Sequence, residues 1–219
     1  MKPATKTSDF RKAIFLNSVN VAALALGFIQ QLAVVKCHGT TVITDFYFLL
    51  IIVPQLIINL SNSIVNSALQ PFIVRRRERL GGDGEAALIA YFERRLWRGA
   101  GLLALVAFGF GVIQAIQAPA WDSARFDVLM MLACAPFLLI FGVINALFTT
   151  VLQSRRDYWP VFASLMISPF FGLACGVILA PLGAWPFVAG QSFGMTLQYF
   201  WLKKKLERPW AVNVKRKRN

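Results

Sequence analysis

Charge is scarce in this sequence: 15% of its 219 residues are Asp, Glu, Lys or Arg, where a soluble domain carries about 25%. So few charges cannot cover the surface of a water-soluble globule. There is one histidine, His38, and there are three cysteines, Cys37, Cys134 and Cys175. His38 and Cys37 could begin a metal site, but two ligands do not close one, and Asp45 is the only carboxylate nearby. His38 is therefore expected to be a polar loop residue, and no metal is expected. The scattered cysteines outline no disulfide framework; Cys134 and Cys175 sit in apolar runs as small apolar side chains. The sequence holds no Ser/His/Asp set and no paired carboxylates. Gly81-Gly82-Asp83-Gly84 reads as a turn, since no Gly-Lys-Ser/Thr follows it. Neither catalysis nor a cofactor is expected.

Apolar material is abundant, at 57% of residues. Uncharged runs occur at Ala13–Val35, Phe46–Val74, Gly99–Trp121, Val128–Gln153, Tyr158–Leu182 and Gly183–Leu202. Each can hold a membrane helix of ~20 residues, because a backbone in lipid must bond internally. The expected fold is an all-α integral membrane protein with six transmembrane helices. Its expected parts are an N-terminal segment 1–12, a membrane lobe 13–205 with a cytoplasmic loop at about 75–98, and a basic tail 206–219. The first run is too long for the apolar core of a signal peptide, and no small-residue cleavage site follows it. Ala180-Pro181-Leu182-Gly183 should be a tight turn between the last two spans.

The net charge of +13 would suggest nucleic acid in a soluble protein. Here its distribution indicates otherwise. Of 23 Lys and Arg, 21 fall before the first span, between the second and third, between the fourth and fifth, or after the sixth; only Lys36 and Arg125 lie opposite. The positive-inside rule then puts both termini in the cytoplasm. The tail Lys215-Arg216-Lys217-Arg218 is read as an orientation and lipid-headgroup signal rather than a nucleic-acid patch. In the loop, Glu85–Trp97 reads as a short amphipathic helix with Ala87, Leu88, Tyr91, Leu96 and Trp97 on the membrane interface and Glu93, Arg94 and Arg95 facing water.

The informative polar residues are uncharged amides at membrane depth. Gln55, Asn59, Asn62, Asn66 and Gln70 recur at helical spacing and share one face; Ile57, Ile58 and Ile64 point largely elsewhere. Asn17, Asn20, Gly27 and Gln31 share a face of the first span, with Gln30 beside it. An amide facing lipid is costly, so both stripes should face protein or water. They can serve as helix–helix glue, at about 0.6–2 kcal/mol each, or line a hydrated cavity. The candidate cavity residues are Asn17, Asn20, Gln30, Gln31, Gln55, Asn59, Asn62 and Asn66, with Lys36 and Asp45 at the outer mouth. Prolines 54, 136, 160, 169 and 186 lie in or at the ends of spans, where they bend membrane helices.

Leu26-Gly27-Phe28, Gly39, Thr44-Asp45-Phe46-Tyr47-Phe48 and Pro54, in that order, resemble the opening of the MviN/MurJ family of lipid II flippases. Pro136-Phe137-Leu138-Leu139, Tyr158-Trp159-Pro160 and Gln198 followed by Lys203-Lys204-Lys205 are similar to later family stretches. The resemblance covers about residues 13–205 and implies one six-helix lobe of a two-lobed exporter fold. Where the family carries arginines that hold pyrophosphate, the matching positions are Leu24, Gln30 and Ile57 or Ile58; Gln31 stands at an acidic position, and Lys36 keeps a basic one. The resemblance implies a half-size subunit that pairs with itself or another lobe to pass a lipid-linked glycan. The alternative is a degenerate, non-transporting lobe that scaffolds envelope or exopolysaccharide synthesis. Expected partners are membrane lipids, a second lobe as homodimer or heteromer, and the glycan, with no nucleic acid.

Overall fold

The computed structural model describes residues 6–117, 121–155 and 157–207, with the side chains of all of these except 6–17, 20, 83 and 121–124. The described residues are helical, with no strand. The helices are α1 (Lys6–His38), α2 (Val42–Ile64), α3 (Gln70–Gln117), α4 (Trp121–Ser154), α5 (Tyr158–Leu165), α6 (Ile167–Ile178) and α7 (Trp185–Leu206). Five helical stretches are long and apolar enough to cross a membrane: Val21–His38, Val42–Gly82, Gly84–Gln117, Arg125–Ser154 and Tyr158–Ile178. The expected sixth span is α7, which is 22 residues long but falls short of the others in apolar content. Two of its uncharged polar residues, Ser192 and Gln198, are buried against neighbouring helices.

The boundaries differ from the sequence reading in two places. The overlong second run is one helical rod, Val42–Gly82, because a π-helical turn at Val65–Leu69 joins α2 directly to α3. The glycine turn is a kink and not a loop. Only Gly81 leaves helical geometry (φ 68°, ψ −158°), a left-handed conformation that glycine adopts without a Cβ penalty, and the helix resumes to Gln117. Glu85–Trp97 is thus continuous with the helix that carries the third apolar run rather than a separate helix. Its inward face also differs. Leu88, Ile89, Phe92 and Leu96 pack on the core, while Tyr91 is exposed. Glu93 does not face water: it accepts hydrogen bonds from Tyr199 Oη at 2.9 Å and Lys203 Nζ at 3.0 Å.

The fifth span is two helices. Pro169 has no N–H, and its ring collides with the carbonyl four residues earlier, so α5 stops at Leu165 and α6 restarts at Ile167. The turn after α6 is as expected, with a 3-10 turn at Ala180–Leu182 and Gly183 at φ 114°.

α4 is the axis of the bundle, and Val143–Leu152 is buried almost without interruption. It packs against α2, α3 and α7, and α7 packs in turn against α6, which carries α1. Glycine makes the α6–α7 approach close, since a Cβ on Gly190 would overlap the Phe171 carbonyl and one on Gly194 the Ser168 backbone. α1 and α2 join at a tight turn through Gly39, where Thr44 Oγ1 donates to the Gly39 carbonyl at 2.7 Å. Beyond that turn they diverge and scarcely touch.

Candidate functional site: an uncharged, amide-lined cavity

The divergence of α1 from α2 opens a cavity of about 850 Å³, walled by α1, α5 and α6 on one side and by α2, α4 and α7 on the other. Along α2 it runs from Tyr47 to Asn66, roughly 28 Å at the 1.5 Å rise of a helix. That is close to the ~30 Å thickness of a hydrocarbon core. Ten of its lining residues are Asn or Gln, and none of the described residues lining it carries a charge.

Six of the eight expected cavity residues line it: Gln30, Gln31, Gln55, Asn59, Asn62 and Asn66. The side chains of Asn17 and Asn20 lie outside the described residues. Lys36 and Asp45 are exposed near the α1–α2 turn and do not line the cavity. Two readings of α2 are corrected. Gln70 leaves the stripe, because the π-turn accommodates about one residue more than an α-turn and rotates everything after it. Ile58 does not point elsewhere: it lines the cavity wall, is 5% exposed and packs on Gly142.

Some amides are helix–helix glue. Gln30 is 2% exposed, and its Nε2 lies 3.1 Å from Tyr47 Oη and 3.4 Å from Gln191 Oε1, so it ties α1 to α2 and α7. Thr150 Oγ1 donates to Asn66 Oδ1 at 2.6 Å. Others are not. Among the described residues Gln31, Gln55, Asn59 and Asn62 form no hydrogen bond to another helix; Gln55 reaches only Asn59 on its own helix, at 3.5 Å.

The opposite wall contributes Asn145, Thr149 and Gln153 from α4 and Gln191 and Gln198 from α7, none of which the sequence reading placed in a cavity. The signal was present. Residues 145, 149 and 153 are spaced by four, and 191 and 198 by two turns, so each set shares a helix face.

His38 is not a loop residue. It ends α1, its ring meets Phe187 edge-on at 6.1 Å between centroids, and its Nε2 is buried. The three cysteines are free, and no group of three or more metal-ligating side chains occurs among the described residues. In comparisons with known proteins, no family model, curated protein or solved structure matches the chain.

Proposed function

We propose that the chain is a half-size, MurJ-like membrane subunit that pairs with itself or with another lobe and translocates a lipid-linked glycan or polysaccharide precursor across the bacterial inner membrane. On this reading α7 is the sixth span, both termini are cytoplasmic, and the loop and tail arginines and lysines hold that orientation. One observation carries the proposal. Four amides that bond to no other helix among the described residues face a membrane-length cavity, although amides left to lipid would destabilise the fold. Packing alone does not call for them; a polar passenger does.

The partner's task follows from where the cavity is open. Gln31 and Asn59 are exposed at its edge, beside Leu24, Phe28 and Leu60, which are 59–70% exposed. A second lobe laid over this edge would shield both amides.

The second reading, a non-transporting scaffold, is favoured by the absence of any charge among the described lining residues, since a pyrophosphate carrier would need cations there. One experiment separates the two. Single cysteines at Asn59, Asn62 and Asn66 are treated with a water-soluble maleimide in membranes, with Val106, 70% exposed on α3 and outside the cavity, as the unreactive control. The three should label and the control should not. Asn59→Leu with Asn62→Leu should then abolish glycan translocation in proteoliposomes while the assembled complex survives. Intact translocation in that double variant rejects the transport reading.

A further inference from the structure

The identity of the passenger can be narrowed from the direction in which the wall amides point, an inference that rests on reading the cavity as a hydrated path. Asn145 is 3% exposed, and its Nδ2 donates to the Met195 carbonyl at 3.1 Å. A backbone carbonyl only accepts, so this amide cannot be turned round, and Oδ1 is the atom left over. That buried oxygen has no hydrogen-bond partner among the described residues, although Asn145 lines the cavity. Gln198 repeats the pattern. Its Nε2 donates to Ser164 Oγ at 3.2 Å, and the Ser164 proton is committed to the Val161 carbonyl at 2.6 Å, so Gln198 must be the donor. The Gln30 nitrogen is likewise spent on Tyr47 and Gln191. Three amide donors are turned into the protein, so at these buried positions it is acceptors that the wall has to spare.

A phosphate presents only acceptor oxygens and negative charge, and would meet the spare oxygens of these buried amides with no cation among the described lining residues. A bare metal ion suits carbonyl oxygens but not the size of the space. About 850 Å³ is more than twenty times the ~30 Å³ a water molecule occupies, and within the ~300–1,000 Å³ of pockets for organic ligands. A sugar hydroxyl both donates and accepts, so it can serve the Asn145 oxygen and the unspent amides of Gln31 and Asn62 alike. We propose that the cavity holds an electrically neutral, polyhydroxylated glycosyl headgroup and excludes phosphate, which stays outside it.

The test uses the full chain in lipid nanodiscs, with Cys37, Cys134 and Cys175 changed to Ala and Asn62→Cys as reporter, labelled by N-ethylmaleimide. Dodecyl β-maltoside should slow labelling at least tenfold, while dodecyl phosphate, which has the same tail, and sodium chloride should leave it unchanged. Adding Asn145→Leu should raise the maltoside concentration needed for protection about tenfold, the effect of one lost buried hydrogen bond. Protection by dodecyl phosphate or by sodium equal to that by the maltoside overturns the proposal. So does a thiol that stays reactive in saturating maltoside. A thiol unreactive without any ligand overturns the underlying cavity reading instead, and the wild-type comparison of the two detergents stands whether or not the Asn145 variant folds.

Discussion

Removing Glu85 should unfold the end of the bundle where α3, α4 and α7 meet, although the sequence places this residue beside a glycine turn. Its carboxylate is 1% exposed and accepts from Arg155 Nε at 3.0 Å; Arg155, 11% exposed, also donates from Nη1 to the Leu206 carbonyl at 3.1 Å. One guanidinium therefore holds α3, the end of α4 and the end of α7 together. At 3 Å and an effective dielectric of about 20 the attraction is roughly 5–6 kcal/mol, largely offset by desolvation of both ions, so the net value of the pair is small. Deleting one partner is a different matter. Glu85→Ala leaves a buried cation uncompensated, which costs about 3–5 kcal/mol. For a chain of this length each kcal/mol lowers Tm by about 2–4 °C, so a fall of roughly 6–20 °C is expected in a detergent melt. The double variant Glu85→Leu with Arg155→Met removes both charges and should recover most of that loss. A Glu85→Ala protein melting within 2 °C of wild type, or a double variant no more stable than the single ones, refutes the argument.

The pair Lys203–Glu93 has the same 3.0 Å separation but is 40% and 17% exposed, so Lys203→Met should change stability by less than about 1 kcal/mol in the same melt. Hydrogen bonds with Tyr199 and Glu93 hold the Lys203 ammonium above the ordinary lysine range. Its contribution is therefore complete below that range and is lost as pH rises through the raised value; a melt series should show it only at alkaline pH, and Lys203→Met should flatten it. Gln30→Leu strands the hydroxyl of Tyr47, itself 1% exposed, and should cost about 1–3 kcal/mol by chemical unfolding without reducing maleimide access at position 59. Gly190→Val drives a side chain into the Phe171 backbone and should yield no folded protein by size-exclusion chromatography, whereas Gly109→Ala, with open space around it, should behave as wild type.

Periodicity made much of this architecture readable in advance. Apolar runs of membrane length became helices, the Ala180–Gly183 turn fell where proline and glycine put it, and the amides from Gln55 to Asn66 do share one face. What failed depended on events that periodicity cannot register. A π-turn at Val65–Leu69 changes the phase of a helix without any break in composition, and so removes Gln70 from the stripe. Gly81 takes a left-handed conformation for one residue only, and the helix beyond it turns Glu85 and Glu93 inward to meet Arg155 and Lys203. Both carboxylates were ordinary surface candidates until distant basic residues were brought to them.

The opposite wall carries the larger consequence. From α1 and α2 alone, a single lobe has two polar stripes and nothing facing them, so a partner would have to supply half of any cavity. With Asn145, Thr149 and Gln153 on α4 and Gln191 and Gln198 on α7, this chain supplies both halves itself. On the proposed reading a second lobe need only close the slit between α1 and α2, where Gln31 and Asn59 are exposed. That requirement predicts where the partner sits. Cysteines replacing Leu24 or Leu60 should crosslink between chains, whereas one replacing Phe126, 65% exposed on α4 near the connection from α3, should not. Efficient crosslinking through position 126 and none through 24 or 60 would move the partner to another face. The exposed amides would then need a cover that no second lobe provides.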